Sequence, residues 1–272
     1  MSDVFREASP YYIVGRPPYS RQLLPVLRRE LGLDGSGLLL DVGCGPGALT
    51  LELAPAFDEC VGVDPDPGML AEGRRRGEEA ALSGLRWVQG TAEALGELEL
   101  EPCRLVTFGQ SYHWTAGVPV LNAVHGLLEP GGAVAIIGHR ADGRPEPPGP
   151  GLPRIPEKEI VDLVRRFVDD DGADAGPGPR ARRSTPHLHV DDVRASRFGA
   201  CRTVYAAGRP DVVRAVDSVL AGYYSTSYAA PRRFGARRAA FEAAVRALLL
   251  ESSPTGQFWD WPGDTEIVVS TA

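Results

Sequence analysis

The feature that most constrains this chain is a glycine-rich stretch at residues 38–53, LLLDVGCGPGALTLEL. An apolar run leads into Asp41, and Gly43, Gly45 and Gly47 follow before a segment of helical character. A strand that enters a glycine-rich turn and then a helix lets the backbone approach a ligand closely, because no Cβ stands in the way. The dinucleotide pattern G-x-G-x-x-G fails at its third glycine. The stretch therefore predicts a loop that binds a nucleotide-like ligand.

Composition sets the broad class. With 272 residues, 43% apolar and 24% charged, the chain is typical of a globular protein with one large domain or a domain and an appended cap. A net charge of −7 removes the positive surface that phosphate-binding proteins usually present, so we expect no nucleic-acid partner. No apolar run approaches the roughly 20 residues needed to cross a bilayer, so we expect no membrane partner.

The four cysteines, Cys44, Cys60, Cys103 and Cys201, lie far apart and form no C-x-x-C pair. This spacing favours buried, reduced thiols over a zinc site or a disulfide framework. The first residues, MSDVFREASPYY, lack the basic start and apolar core of a signal peptide. We therefore expect a cytoplasmic protein, either a monomer or a homodimer.

Strands and helices alternate through the first 140 residues. Apolar strands are predicted at residues 38–40, 60–64, 85–89, 104–108 and 133–138, with helices between them. This alternation predicts a doubly wound parallel α/β sheet, in which ligands bind beyond the carboxyl ends of the strands. Asp41, Asp64, Thr91 and Gln110 all fall at such ends. Asp66 before Pro67 predicts a helix start.

The remainder of the chain is less regular. Residues 1–19 read as irregular, and a helix follows from about residue 20, with Pro25 predicting a kink or a later start. Further elements are a proline- and glycine-rich connection at 141–153, a helix at 156–168, a mobile segment at 169–186, a strand at 198–206, helices at 210–222 and 231–251, and a strand at 265–270. The predicted division is a core of residues 1–140 with an N-terminal lid, a mainly helical cap with sheet additions at 141–262, and a closing core strand at 263–272.

Five motifs follow one another in a recognisable order: LLLDVGCGPGALTLELA, CVGVDPDPGML, VQGTAEAL, FGQSYHW and LLEPGGAVAII. In this order they resemble the small-molecule class I methyltransferases that use S-adenosylmethionine (SAM), in particular the trans-aconitate methyltransferase-like branch. That branch also has a Y…RPPY segment near its N-terminus and an HW pair after its fourth strand. The resemblance implies a Rossmann-like, mostly parallel seven-stranded sheet with a helical substrate cap, SAM as cofactor and S-adenosylhomocysteine (SAH) as product.

The resemblance also implies a cofactor site. Asp41, Gly43, Cys44, Gly45 and Gly47 would hold the methionine part, Asp64 the ribose, Pro65 and Met69 the adenine, Thr91, Ala92 and Glu93 the adenine edge, and Gln110 the sulfonium. Asp41 would bond either the loop amides or the cofactor's charged groups. Where Thr91 stands the family often has an acid, so the adenine amino group needs another acceptor. Tyr11 and Arg16 would fold over the cofactor, with Arg16 near its carboxylate, or belong to a surface arm packed by tyrosines.

Catalytic and substrate residues are less specifically marked. His113 and His139 follow the fourth and fifth strands and are candidates for removing a proton from the acceptor, although a lone histidine is more often structural. Tyr19, Tyr112 and Trp114 are candidate pocket walls. Tyr223 and Tyr224 would line a pocket or pack helices. His187 and His189 have strand spacing, and without an evident third ligand a solvated strand face is favoured over a metal site.

The function predicted from these residues is methyl transfer from SAM to a hydroxyl or nitrogen of a small molecule, such as a natural-product intermediate. Two alternatives keep the SAM site: a cyclisation or rearrangement with SAM as structural cofactor, and a protein that binds SAM without turnover. A nicotinamide-dependent oxidoreductase is a more distant alternative.

Overall fold

A computed structural model describes residues 9–140, 146–168 and 186–272. Predictions for residues 1–8, 141–145 and 169–185 lie outside this part of the chain. Packing divides the chain into two units. We call the described residues among 19–142, 182–208 and 263–272 the sheet unit, and those among 1–18, 143–181 and 209–262 the helical unit.

The described residues form nine strands and nine α-helices. The strands are β1 (Leu38–Val42), β2 (Glu59–Asp64), β3 (Leu85–Gln89), β4 (Cys103–Gly109), β5 (Leu128–Arg140), β6 (Arg202–Ala206), β7 (Val213–Ala215), β8 (Gln257–Trp259) and β9 (Asp264–Thr271). The helices are α1 (Ser9–Gly15), α2 (Leu23–Leu31), α3 (Ala48–Leu53), α4 (Pro67–Glu79), α5 (Val118–Leu127), α6 (Glu157–Phe167), α7 (Pro186–Ala195), α8 (Val216–Tyr224) and α9 (Arg238–Ser252). No α-helix in these ranges is both long and apolar enough to span a bilayer.

Seven strands of the sheet unit form one sheet in the order β3-β2-β1-β4-β5-β9-β6. The first five are parallel, and β9 runs antiparallel to both of its neighbours. The predicted α/β class and the mostly parallel seven-stranded sheet are thus confirmed. The strand order reverses between β1 and β4. The carboxyl ends of these two strands are therefore the place where doubly wound sheets bind ligands.

Both faces of this sheet are covered, as its apolar strands require. Along β1, Leu40 belongs to a cluster on one face and Leu39 to a cluster on the other. Val193 of α7 joins the first cluster, and Leu23 and Leu27 of α2 join the second. The alternation of side chains along each strand explains this division.

Helix starts follow local rules. The Asp66 carboxylate accepts hydrogen bonds from the backbone N–H groups of Gly68 and Met69, which confirms the predicted start of α4. Helix α2 begins at Leu23 and carries Pro25 in its first turn, where proline is tolerated, so the later start is the correct alternative.

Some local predictions are wrong. The helix predicted at 210–222 begins only at Val216, because Val213–Ala215 form β7 instead. Residues predicted as irregular form α1, which packs on α8, so packing overrides the strand preference of its tyrosine, isoleucine and valine residues. His187 and His189 lie on helix α7, not on a strand face. Its Val190 and Val193 are three residues apart and pack against the same cluster, which is a helical period.

The helical unit contains α1, α6, α8, α9, a 3₁₀ segment at Pro231–Arg237 and the antiparallel pair β7–β8. Its core is aromatic and aliphatic, with Phe234 and Phe241 stacked at 4.0 Å between ring centroids. Residues 9–18 group with this unit and residues 186–208 with the sheet unit, whereas the sequence-based division assigned the first to the core and the second to the cap.

Candidate functional site

The loop after β1 has the backbone that its glycines suggest. Gly43, Gly45 and Gly47 have φ values of 67°, 54° and 73°, a left-handed region that disfavours residues with a Cβ. The backbone N–H groups of Gly43 and Cys44 both donate to the carbonyl of Val63 in β2. The loop is therefore held against the neighbouring strand, and a turn hydrogen bond from the N–H of Gly47 to the carbonyl of Cys44 closes it.

A tryptophan supports this loop from behind. The ring of Trp87, on β3, lies so close to Gly47, Gly62 and Gly73 that a Cβ at each would approach it to 2.4, 2.8 and 2.7 Å. The three glycines come from the loop, from β2 and from α4. Together they form a niche, which we call the Trp87 niche, and it fixes the distance between β3 and the loop.

Asp64, the last residue of β2, joins the loop to the next turn. One carboxylate oxygen accepts the backbone N–H of Gly45 at 2.9 Å, and the other accepts that of Asp66 at 2.9 Å. The residue is 9% exposed, and burial raises the pKa of its carboxyl group. Each oxygen keeps a further lone pair for a hydroxyl donor, so the geometry suits a polyol beside the loop.

Asp41 is buried inside β1 and is bound by two threonines. Its carboxylate accepts the hydroxyl of Thr50 at 2.6 Å and that of Thr107 at 2.9 Å. Burial raises the pKa of this carboxyl group to about 6. These two hydrogen bonds join Asp41 to α3 and β4. Bonding to the loop amides, one of the two kinds of contact expected for Asp41, is not what these hydrogen bonds provide. Sequence reasoning missed both threonines.

The chain after β4 completes this edge of the sheet. Gln110 has a left-handed φ of 58°, uncommon for a residue with a side chain, while its backbone N–H donates to the carbonyl of Ile137. The hydroxyl of Ser111 donates to the carbonyl of Val42, and a Cβ at Gly43 would lie 2.5 Å from the Cβ of Ser111. Such strained backbone is often found at functional sites.

Comparison with known proteins shows which proteins this part of the chain resembles. A family model described as a methyltransferase domain matches residues 39–132. An uncharacterized methyltransferase of Mycobacterium tuberculosis is 32% identical over 148 residues, covering 53% of this chain and 55% of that protein. A ubiquinone biosynthesis O-methyltransferase of Ruegeria pomeroyi is 34% identical over 116 residues, covering 42% and 46%.

Over residues 39–132 the chain matches a class I SAM-dependent methyltransferase domain. In fold alone, the chain is similar to the structure of the YcgJ protein from Bacillus subtilis, with a TM-score of 0.51 at 18% identity, covering 91% of this chain and 97% of that one. The chain spans about half the length of the curated relatives it matches.

The glycine loop and Asp64 of this methyltransferase domain fit SAM. The left-handed loop leaves its backbone approachable, and Asp64 can accept ribose hydroxyls while it holds Gly45. Cys44 lies within the loop but is buried, and burial with nearby Asp41 and Asp64 raises the pKa of its thiol well above the ordinary range. Cys44 therefore contributes its backbone rather than a reactive thiolate.

The residues predicted around the adenine lie after β2 and β3. Met69 is 3% exposed yet belongs to neither apolar cluster of the sheet, and the carbonyl of Pro65 accepts the side chain of Gln89. Ala92 is buried, and Thr91 precedes the 3₁₀ turn Ala92–Glu97. One Glu93 oxygen accepts the backbone N–H of Ala116, so this acid also ties two loops together.

The two histidines predicted for proton removal sit differently. His139, near the end of β5, stacks on Tyr19 with 5.2 Å between ring centroids, on the face covered by α2. His113 lies in the 3₁₀ turn Tyr112–Trp114 and tilts against Trp114 at 5.3 Å. Their catalytic role remains a prediction.

Tyr112 is a packing residue by its geometry. It is 3% exposed, its ring meets Phe108 edge-on, and its hydroxyl donates to Asp192 of α7 at 2.9 Å. Trp114, predicted as a neighbouring wall, is half-buried.

Four predicted site residues belong to the helical unit. Tyr11 accepts a hydrogen bond from Arg238 and meets the ring of Tyr224 edge-on at 5.1 Å. Tyr224 is 1% exposed and donates to Glu242, so helix packing, the second of its two predicted roles, describes it. Tyr223 is half-buried, and burial raises the pKa of its hydroxyl.

Arg16 is the fourth of these residues. Its guanidinium donates to the carbonyl of Ser225 at 2.8 Å and lies over the ring of Tyr12. These contacts anchor the N-terminal segment within the helical unit. Contact with SAM, predicted for Arg16 and Tyr11, remains a prediction.

Metal-binding side chains were considered for the described residues alone. Within the three described ranges, no group of three histidine, cysteine or acidic side chains could hold a metal ion. Cys44, Cys60 and Cys103 are buried free thiols, and Cys201 is half-buried.

Proposed function

We propose that this chain transfers the methyl group of SAM to a hydroxyl or nitrogen of a small molecule. The observation that carries this proposal is the hydrogen bond from Gly45 to Asp64. It holds a left-handed glycine loop and a ribose-accepting carboxylate together at the carboxyl edge of the sheet, where such folds bind their ligands.

Different residues of the chain would bind different parts of SAM. The loop backbone would lie against the amino acid part of SAM, since its N–H groups at Gly43, Cys44 and Gly45 are already bound to Val63 and Asp64. Asp64 would take the ribose and Met69 with Pro65 the adenine, while Gln110 would lie beside the sulfur. When bound, SAM supplies an electrophilic methyl group on a cationic sulfur. The protein then mainly aligns the acceptor, excludes water and removes a proton from the acceptor.

The acceptor class rests on two supports. One relative bears the name of an O-methyltransferase of ubiquinone biosynthesis, which favours a hydroxyl acceptor. The net charge of −7 disfavours nucleic acid as acceptor. A small hydroxylated or amine-bearing metabolite, such as a natural-product intermediate, suits both. The trans-aconitate-like branch adds a carboxylate as a second acceptor type to test.

Calorimetry followed by label transfer tests the proposal. SAM and SAH should each bind with one-to-one stoichiometry. Methyl-labelled SAM is then offered with catechol, 4-hydroxybenzoate, a primary amine and trans-aconitate, and each product is analysed for label. Label in a hydroxyl or amine product supports the proposal. Label in trans-aconitate alone would move the acceptor to a carboxylate, and the lack of SAM and SAH binding would overturn the proposal.

A further inference from the structure

A cluster of polar side chains lies at the same edge of the sheet but outside the residues discussed for SAM. His189 of α7 meets the ring of Tyr112 edge-on, with 5.2 Å between centroids and 89° between planes. The Tyr112 hydroxyl in turn donates to Asp192, which lies one turn further along α7. Because Tyr112 follows Gln110 by two residues, His189 is packed beside the chain that leaves β4.

Glu266 brings a buried carboxylate to this cluster. It lies on β9, is 7% exposed and accepts the hydroxyl of Tyr205 at 3.0 Å. Its carboxylate and that of Asp192 both act electrostatically on His189. Val268, two residues further along β9, belongs to the same apolar cluster as Val193 of α7, so Glu266 is on the face of the sheet that α7 covers.

The register of the sheet relates Glu266 to Gln110. Glu266 pairs with Gly138 of β5, and paired residues present their side chains on the same face. On that face, a Cβ at Gly138 would lie 3.8–4.0 Å from the amide group of Gln110. Gln110 and Glu266 are therefore neighbours across Gly138. His139, the next residue of β5, points to the opposite face, where it stacks on Tyr19.

The imidazole of His189 suits a proton acceptor. Its Nε2 atom is fully buried and has no hydrogen-bond partner within the described ranges. Burial lowers the pKa of the ring, against the opposing effects of Glu266 and Asp192. The lowered pKa favours the neutral ring, which can accept a proton, and the two carboxylates would stabilise the protonated form.

We propose that His189 lies on the acceptor side of the SAM sulfur and accepts, at Nε2, the proton that a hydroxyl or amine acceptor loses. The inference rests on the function proposed above. The acceptor's oxygen or nitrogen keeps the electron pair of its bond to hydrogen and uses a pair to bond the methyl carbon. The pair of the methyl–sulfur bond passes to sulfur, and His189 later releases its proton to solvent. Glu266 and Asp192 act through His189 as positioning residues.

A histidine titration tests the location without knowledge of the natural acceptor. Histidine rings labelled with carbon-13 are titrated by NMR in the free protein, with SAM and with SAH, and the variants H189Q and H125Q assign their signals. SAM carries a positive charge on sulfur and SAH does not. If His189 is beside that sulfur, its pKa will be lower with SAM than with SAH by about 0.5 pH unit or more.

His125 is the internal control. It lies in the last turn of α5, which ends at Leu127. Strand β5 begins at the next residue, so His125 is at the amino edge of the sheet. Its ring signals should be the same with SAM and with SAH. Equal pKa values for His189 with the two ligands would overturn the proposal while leaving SAM binding intact. Failure of both ligands to bind in calorimetry would instead overturn the proposed function, and this inference with it.

Label transfer tests the chemical role. With any hydroxyl or amine acceptor that the wild type methylates, H189Q should lower the rate at least about 100-fold while SAH affinity stays within about twofold. H125Q should match the wild type in both measurements. An unchanged rate in H189Q would overturn the role in proton removal, even where the titration places His189 beside the sulfur.

Discussion

The carboxylate of Asp64 accepts the backbone N–H of Gly45 across 2.9 Å, so the end of β2 and the loop after β1 hold each other in place. The second oxygen of the same carboxylate accepts the N–H of Asp66 at the start of α4. One buried acid thus fixes the loop, the strand end and the helix start around the proposed ribose position.

Replacing Asp64 with alanine should weaken SAH binding by about 10- to 100-fold, because hydrogen bonds to a charged group contribute about 1.5–3 kcal/mol. Isothermal titration calorimetry measures the effect. Asp58→Ala is the matched control. Asp58 is an exposed acid directly before β2, and its carboxylate accepts the backbone N–H of Gly37. Equal SAH affinity in the Asp64 variant and the wild type would contradict the ribose assignment.

Replacing Gly43 with alanine should lower the free energy of unfolding by about 2 kcal/mol and weaken SAH binding. A left-handed backbone costs a residue with a Cβ about 1–2 kcal/mol, and the added carbon would also meet Ser111 at 2.5 Å. Urea unfolding measures the change. Gly126→Ala, in α5 with open space around it, should instead stabilise the protein by about 0.5–1 kcal/mol. A neutral Gly43 variant would refute the strain argument.

Asp41 should make stability depend on pH in an unusual direction. Its pKa in the folded protein, about 6, is above the ordinary 3.8, so the folded state binds this proton more tightly than the unfolded chain. The group's contribution is therefore most favourable below pH 3.8 and is lost as pH rises through 6, a change of about 3 kcal/mol. Asp41→Asn removes the titration, so its stability relative to the wild type should increase from pH 4 to pH 7. Urea unfolding of both proteins at the two pH values checks this, and a constant difference would argue against it.

Replacing Tyr112 with phenylalanine should lower the free energy of unfolding by about 1–2 kcal/mol, because Asp192 loses a hydrogen-bond donor. The ring contacts with Phe108 and His189 remain, so SAH affinity should change less than twofold. Thermal unfolding and calorimetry separate the two effects. A large loss of SAH affinity without a loss of stability would show instead that Tyr112 contributes to cofactor binding.

The parallel core of the fold could be predicted because its signals are local. The strand Leu85–Gln89 has its predicted bounds, and Asp66 caps α4 as its sequence indicates. The start of β5 could not be predicted in the same way. Leu128 pairs with Cys103 before a register shift, and regular pairing resumes at Ala133, where the strand was predicted to begin.

Features that depend on contacts distant in sequence were not predictable. Thr107 lies 66 residues from Asp41, and only the parallel register of β1 and β4 brings its hydroxyl to the carboxylate. The left-handed φ of Gln110 has no marker in the residue type. The alternation of His187, Leu188 and His189 favours a strand in the sequence. The helix is indicated only by the three-residue spacing of Val190 and Val193 that follows.

The Trp87 niche links three segments that are separate in sequence. A larger residue at Gly73 is compatible with this loop position only if the side chain at 87 becomes smaller, since the indole ring fills the space that a Cβ would occupy. At Gly62 a Cβ would also lie 2.9 Å from the Sγ atom of Cys44, so a larger residue there requires a change at position 44 as well. Positions 73 and 87 should therefore covary in size across homologues, and position 62 should covary with both 87 and 44. Position 47 should remain mostly glycine even where residue 87 is small, because its left-handed φ favours glycine whatever the space beside it.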